Sequence, residues 1–348
     1  MASNGQVIHA PELCVIEGDG VGREVIPAAV RVLHCVATDV RIIHASAGWD
    51  YFQDYNTPLP DATLECALQT RSVLFGAVTT PPYPIQGYFS PIVRLRRELQ
   101  AYANIRPTRY LPVPTSRPGI DLFIVRESTE DLYVGHEHTE DEGQTGIAEK
   151  VITREATERV ARMAYQLVVQ NNRKRVTIVH KANVLQQSDG LFRKVALEIA
   201  SYYPEITTDE LLVDTAAYWM VKDPTRFDVI LTPNLYGDIL SDMAAAWGGG
   251  MGLAPSISLG EGVAIAEPVH GSAPDIAGQG IANPTAAILS VALLLRHHWG
   301  RVEEANRIEQ AVRATLSHGS HTPDIYAEGA ISTANFTERV CQYLERGH

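Results

Sequence analysis

Short apolar runs ended by polar or glycine-containing turns alternate along this chain with stretches of helical periodicity. "ELCVI", residues 12–16, reads as a buried strand, "EGDGVG" as a turn, and "REVIPAAVRVLHCVA" as a helix with apolar positions three and four apart. "VLFGAV", "DLFIVRE", "RVTIVHKANV" and "FDVILTPN" repeat the strand pattern, each apolar run giving way to polar chemistry or glycine. Strands alternating with helices predict an α/β fold with largely parallel pairing. Functional groups at strand ends then converge on a crevice. "PTAAILSVALLLRHHWG", 284–300, is apolar on all sides but stops at Arg296, too short for a membrane span, and is expected to be a buried helix. "VGHEHTEDEGQTGIAEK", 134–150, is polar and reads as a surface excursion.

The first turn tempts a dinucleotide-binding interpretation, but its glycines fall as GxGxG at Gly18, Gly20 and Gly22 rather than as GxGxxG. No acid closing a second strand about 20 residues on rescues it, so a standard Rossmann fold is rejected.

Composition narrows the function classes. With 348 residues, 45% hydrophobic and 20% charged, the chain reads as a globular protein of about two domains. A net charge of −12 with no basic stripe argues against nucleic acid as a partner. The N-terminal stretch shows no basic start followed by an apolar core, so a cytoplasmic location is the expectation. Cys14, Cys35, Cys66 and Cys341 are scattered without a CxxC pair, which points to neither zinc nor a disulfide framework.

Candidate chemistry sits in four places. In an acidic chain, Arg96, Arg106 and Arg126 at element ends either face solvent or grip a small polyanion, whose carboxylates guanidinium forks match. Tyr133 follows Arg126 by seven residues. Lys181, following the strand "VTIV", is expected in a desolvating environment suited to proton transfer. In "NLYGDILSDMAAAWGGG", Asp238 and Asp242 stand four apart at what reads as the first turns of a helix, with no lysine nearby. Like charges at that spacing repel, so they either complement the helix dipole or share a divalent cation. With Asp214 they form a carboxylate set suited to Mg²⁺ or Mn²⁺.

From "IEGDGVGREV" through "NLYGDILSD" to "EPVHGSAPDIAGQGIANPTAAILS", the chain resembles the β-decarboxylating dehydrogenases, the family of isocitrate, homoisocitrate, 3-isopropylmalate and tartrate dehydrogenases. The resemblance implies two α/β domains around a central cleft. A large cofactor-binding domain would comprise 1–102 plus 250–348, and a small domain, 103–249, would hold metal and substrate and dimerise through a clasp near 134–150. It makes Arg96, Arg106 and Arg126 clamps on substrate carboxylates, with Asn183 and Ser90 also on the substrate, and Asp214, Asp238 and Asp242 the metal ligands. Lys181 and Asp214 would reach the site from the partner subunit of a homodimer with shared active sites. Lys181 would assist proton removal as hydride leaves to the nicotinamide, and Tyr133 would protonate the enol after loss of CO₂.

The loop His270, Gly271, Ser272, Ala273, Pro274, Asp275, Ile276 and Asn283 would take the adenosine. Asp275 followed by Ile276, in place of Lys-Tyr, implies NAD, because an acid accepts from a ribose hydroxyl and repels a 2′-phosphate. Ser90 matches the serine that isocitrate enzymes use for the γ-carboxylate, whereas Val93 occupies the place of the arginine that distinguishes homoisocitrate enzymes. The expected substrate is therefore a malate with a short anionic arm, isocitrate first. Homoisocitrate, a phosphonate analogue, 3-isopropylmalate and tartrate are the alternatives. A non-catalytic regulatory subunit is disfavoured, since Tyr133, Lys181 and the three aspartates persist.

Overall fold

The apolar run after Pro11 forms β1 (Glu12–Gly18), and a glycine turn leads from it into α1 (Gly22–Val36), in the computed structural model, which describes residues 10–346. Gly18 sits at φ 74°, and a Cβ on it would lie 2.1 Å from the Ala77 carbonyl oxygen. Gly20, at φ 55°, would meet the Ser272 carbonyl oxygen equally closely. These glycines serve backbone-on-backbone packing, which fits their departure from the dinucleotide spacing.

The alternation continues through β2 (Arg41–Ala45), α2 (Trp49–Tyr55), α3 (Asp61–Thr70), β3 (Ser72–Ala77) and α4 (Pro91–Glu98). Then come β4 (Ala103–Arg109), β5 (Asp121–Glu127), and a hairpin of β6 (Glu137–Glu140) and β7 (Thr145–Ala148). The next elements are α5 (Arg154–Gln170), β8 (Arg175–His180), α6 (Ser188–Ala200), β9 (Thr207–Leu212), α7 (Val213–Lys222), β10 (Val229–Thr232) and α8 (Asn234–Gly248). A second hairpin, β11 (Pro255–Gly260) and β12 (Val263–Pro268), precedes α9 (Thr285–His297), α10 (Val302–Ser317) and α11 (Thr333–Glu345).

One sheet of ten strands, ordered β2-β1-β3-β12-β11-β4-β5-β10-β8-β9, runs through both expected halves of the chain. Its two flanks, β2-β1-β3-β12 and β5-β10-β8-β9, are parallel within themselves, as the alternation predicts. The centre differs: β12, β11, β4 and β5 pair antiparallel in succession, so the two flanks point in opposite directions. At that centre β4 lies beside β11, with Ile257 opposite Ile105.

The helices α1, α9, α10 and α11 pack on one another, with α9 against β11 and β12. α9 is buried along nearly its whole length, as its apolar run predicts. α5 packs on α6 and against β5 and β10, while α7 packs on α8, which lies against β4 and β5. Among the described residues no helix is long and apolar enough to cross a membrane. All four cysteines are free, with Cys14 and Cys341 buried.

Candidate active site

The three expected arginines meet around the antiparallel centre of the sheet. Arg106 comes from β4, Arg126 from the end of β5 and Arg96 from α4, and all three are buried. A buried guanidinium needs a partner. Arg96 pairs with Glu267 of β12. Arg126 donates from Nε to Asn234 Oδ1 at 2.8 Å and pairs through Nη1 with Asp238. Arg106 donates to Asn104 Oδ1 at 2.8 Å and Ser241 Oγ at 2.7 Å, and lies 3.4 Å from Asp238 and 3.6 Å from Asp242. The arginines are therefore arranged around acids in this state, rather than left open to solvent.

Asp238 and Asp242 do share one side of α8, but as the fifth and ninth residues of a helix that begins at Asn234, not in its first turn. The helix dipole falls off within that first turn, so it does not account for the pair. The flanking arginines do. The Tyr133 hydroxyl donates to Asp238 Oδ2 at 2.6 Å, and its ring centre lies 5.1 Å from the Arg126 guanidinium carbon. Burial would raise the Asp238 carboxyl, but Arg126 and Arg106 outweigh it and hold it below the usual carboxylate range. Burial raises Asp242 despite Arg106, with Asp238 adding to the rise. Burial also lifts the Tyr133 hydroxyl above the usual phenol range, against the pull of Arg126 and with the help of Asp238. Tyr133 accordingly holds a proton at neutral pH. Burial, then the neighbouring Arg126, push Arg106 down to about 10, which leaves it charged.

Lys181 and Asp214 form a second pair, 2.6 Å apart, at the end of β8 and the start of α7. The Lys181 side chain is 27% exposed and ion-paired, which corrects the expectation of a desolvated lysine: the apolar strand ends at His180, and the side chain leaves it. The Lys181 ammonium draws Asp214 below the usual carboxylate range. Among the described residues no three His, Cys, Asp or Glu side chains are grouped to hold a metal, so Asp214 does not join Asp238 and Asp242 within one chain. Asn183 is exposed, and Ser90 precedes α4 without capping it.

The loop after β12 borders a cavity of about 360 Å³ walled by His270, Gly271, Ala273, Ile276, Asn283 and Asp324, among others. Ser272 turns from it, accepting from the Thr79 hydroxyl at 2.8 Å while its carbonyl takes the Val21 N–H, so it fastens the loop to the β1–α1 turn. Pro274 and Asp275 are exposed and do not line the cavity. Asn283 donates to Asp324 at 3.0 Å.

Several residues of the arginine cluster carried a signal that sequence reasoning passed over. Asn104 stands two before Arg106 and therefore on the same strand face. It also donates to Ser256 and Ser258 on β11. Asn234 and Ser241 lie within the "NLYGDILSD" motif itself, and Glu267 opens "EPVHG". Arg97, beside Arg96, bonds the Tyr133 carbonyl.

A family profile described as isocitrate/isopropylmalate dehydrogenase matches residues 12–340. An isocitrate/homoisocitrate dehydrogenase of Thermus thermophilus is 48% identical over 336 residues, covering 97% of this chain and 99% of its own. A 3-isopropylmalate dehydrogenase of Archaeoglobus fulgidus is 46% identical over 335 residues, covering 96% and 99%. Among solved structures, isocitrate dehydrogenase from Methylococcus capsulatus superposes with a TM-score of 0.92 at 41% identity, over 96% of this chain and 99% of that one.

Proposed function

The chain belongs to the isocitrate/isopropylmalate dehydrogenase family, and on that premise we propose that it oxidatively decarboxylates a malate bearing a short anionic arm, isocitrate first, with NAD as hydride acceptor. The observation that carries this reading is the cluster of Arg106, Arg126 and Tyr133 around Asp238, with Arg96 held beside it by Glu267.

Asp238 and Asp242 offer carboxylate oxygens a helical turn apart, with side chains 37% and 55% exposed, which suits a hard divalent cation with open positions. Asp214, absent from that pair within one chain, is the third ligand if it comes from the partner subunit, and Lys181 arrives with it. When bound, Mg²⁺ or Mn²⁺ supplies Lewis acidity at the substrate's C2 oxygen, and NAD accepts the hydride.

Asp238 and Asp242 would hold the cation, and Arg106 and Arg126, whose guanidinium forks suit carboxylates, would bind those of the substrate. Arg96, seated on Glu267, orients a further carboxylate. The Lys181 side chain, in its neutral amine form, would take up the C2 hydroxyl proton. Tyr133, held protonated, delivers its proton to the enol carbon once CO₂ has left. The largely apolar wall of the cavity after β12, with His270, Asn283 and Asp324 as polar groups, suits a flat nucleoside ring, and Asp275, on the same loop but outside the cavity wall, is the acid on which the preference for NAD over NADP rests. The reading places the enzyme in the cytoplasm as a homodimer.

The test compares kcat/KM for isocitrate, homoisocitrate, a phosphonomethyl analogue and 3-isopropylmalate, each with NAD⁺ or NADP⁺ and Mn²⁺. Isocitrate with NAD⁺ is expected to lead, and a chelator to abolish turnover. A preference for 3-isopropylmalate, or for NADP⁺, would refute the corresponding part.

A further inference from the structure

The hairpin of β6 and β7 ends at a lysine with an unusual setting. Lys150, whose side chain is 11% exposed, lies 2.7 Å from Asp189 Oδ1 and 3.4 Å from Asp131 Oδ1, and both carboxylates are fully buried. Its ammonium also stands 4.1 Å from the centre of the Tyr236 ring. Each carboxylate also fastens backbone. Asp131 accepts from the Leu132 N–H at 2.9 Å and the Leu235 N–H at 2.8 Å, and Asp189 accepts from the Lys181 N–H at 2.6 Å. Leu132 precedes Tyr133, Leu235 lies in the turn of α8 that leads to Asp238, and Lys181 is the second half of the reaction's acid–base pair.

Asp131 is also strained. It sits at φ 73° and ψ −148°, a region that side-chain-bearing residues rarely adopt, while its own N–H bonds the Val151 carbonyl beside Lys150. Such a conformation persists only where surrounding contacts over-determine it. Here those contacts are the two backbone donors and the ammonium.

We infer that Lys150 is a positioning residue whose buried ammonium, shared by Asp131 and Asp189, locks the Tyr133–Asp238 half-site and the Lys181 half-site into one rigid unit anchored at the base of the hairpin. This rests on the catalytic reading of Tyr133 and Lys181. If those two groups serve different active sites of a dimer, Lys150 ties each site to the other through its own chain. Without the ammonium, two buried carboxylates face each other uncompensated and their backbone fastenings slacken.

Amide hydrogen exchange of the full chain, without substrate, tests the lock independently of the reaction. In Lys150→Met, the N–H groups of Leu132, Lys181 and Leu235 should exchange at least about 10-fold faster while the central strands β4 and β5 keep their protection. The kinetic counterpart is a fall in kcat of about 100-fold, as expected for catalytic groups displaced by an ångström, with KM for NAD⁺ changed less than threefold. Lys150→Arg should recover part of both effects. So should Lys150→Cys alkylated with 2-bromoethylamine, which rebuilds the ammonium, whereas the same treatment of the unmodified enzyme should change neither. If Lys150→Met fails to fold, Lys150→Met/Asp189→Asn, which leaves Asp131 as the single buried carboxylate and so relieves the repulsion between the two, carries the same measurements at Leu132 and Leu235. Unchanged exchange at the three amides overturns the inference. A loss that neither arginine nor alkylation recovers also overturns it, being that of an ordinary structural ion pair. Full activity in Lys181→Met would instead remove the catalytic reading of Lys181, with the exchange result standing by itself.

Discussion

Gly237 has no side chain because Arg126 runs across it. A Cβ there would lie 2.6 Å from Arg126 Cγ and 2.7 Å from its Cβ, atoms too close to the backbone to swing aside. Gly237→Ala should therefore shift Arg126 off Asn234 and Asp238, at an overpacking cost of about 1–3 kcal/mol. The expected result is a kcat/KM lowered about 10- to 100-fold in steady-state assay, since the guanidinium's placement and not its charge is lost. An alanine variant with unchanged kcat/KM would show that the stem has room. Tyr133→Phe removes the donor to Asp238 and, under the proposed function, the proton for the enol. It is expected to slow turnover of an added 2-oxo-3-carboxy intermediate more than NADH formation from the hydroxy acid. The sequence made the charged members of this cluster visible because arginines are conspicuous in an acidic chain. It hid Asn104, Asn234 and Ser241, which are ordinary surface types until a buried guanidinium requires acceptors. The order Gly-Asp in "NLYGDILSD" encodes a close approach that only the fold reveals.

At the level of elements, the buried strands and α9 were legible because apolar runs and helical periodicity are local signals. Strand direction is not local. Nothing in the apolar runs of β4 or β11 distinguishes an antiparallel neighbour from a parallel one, and their pairing brings residue 105 against 257. The hairpin was expected as a polar excursion and is one, but two four-residue strands exposed on nearly every residue gain little stability from each other. α7 and α8 present a related deficit: Tyr218, Val221 and Ile239 are more than half exposed. An apolar patch of this kind on neighbouring helices calls for a covering partner, and under the proposed function a second copy supplies it. Ile239→Glu places a charge in that patch without touching Asp238's own contacts. Sedimentation at micromolar concentration should show the unsubstituted chain as a dimer and the variant as a monomer, with activity lost alongside the dimer. An active monomer would mean that Lys181 and Asp214 serve their own chain's site.

Over the whole molecule, buried titratable groups pull stability in opposite directions with pH. His297 is pushed down to about 4, chiefly by burial and then by Arg296 and Arg109, and burial likewise lowers His180, His270 and His298. Each binds its proton less tightly folded than unfolded, so each contributes stability that is present above about pH 6.5 and is lost as pH falls toward the folded value. Glu130 works the other way. Burial raises its carboxyl to about 7 despite bonds from the Thr153 N–H and hydroxyl, so the folded chain holds that proton more tightly than the unfolded one. Its contribution is therefore greatest below about pH 4.5 and is lost as pH climbs to about 7. Burial also raises Glu127, which adds to the same slope. The histidines outnumber these acids, so the melting temperature should rise from pH 5 to pH 6.5, but less steeply than the histidines alone would make it. Glu130→Gln keeps an acceptor for the Thr153 N–H and deletes one opposing slope. Relative to the unsubstituted chain it should gain stability steadily between pH 4.5 and 7, by about 1–2 kcal/mol once solvent screening is allowed for. Melting curves at half-unit steps of pH measure this directly, and two parallel profiles would show that the folded chain holds the Glu130 proton no more tightly than the unfolded one.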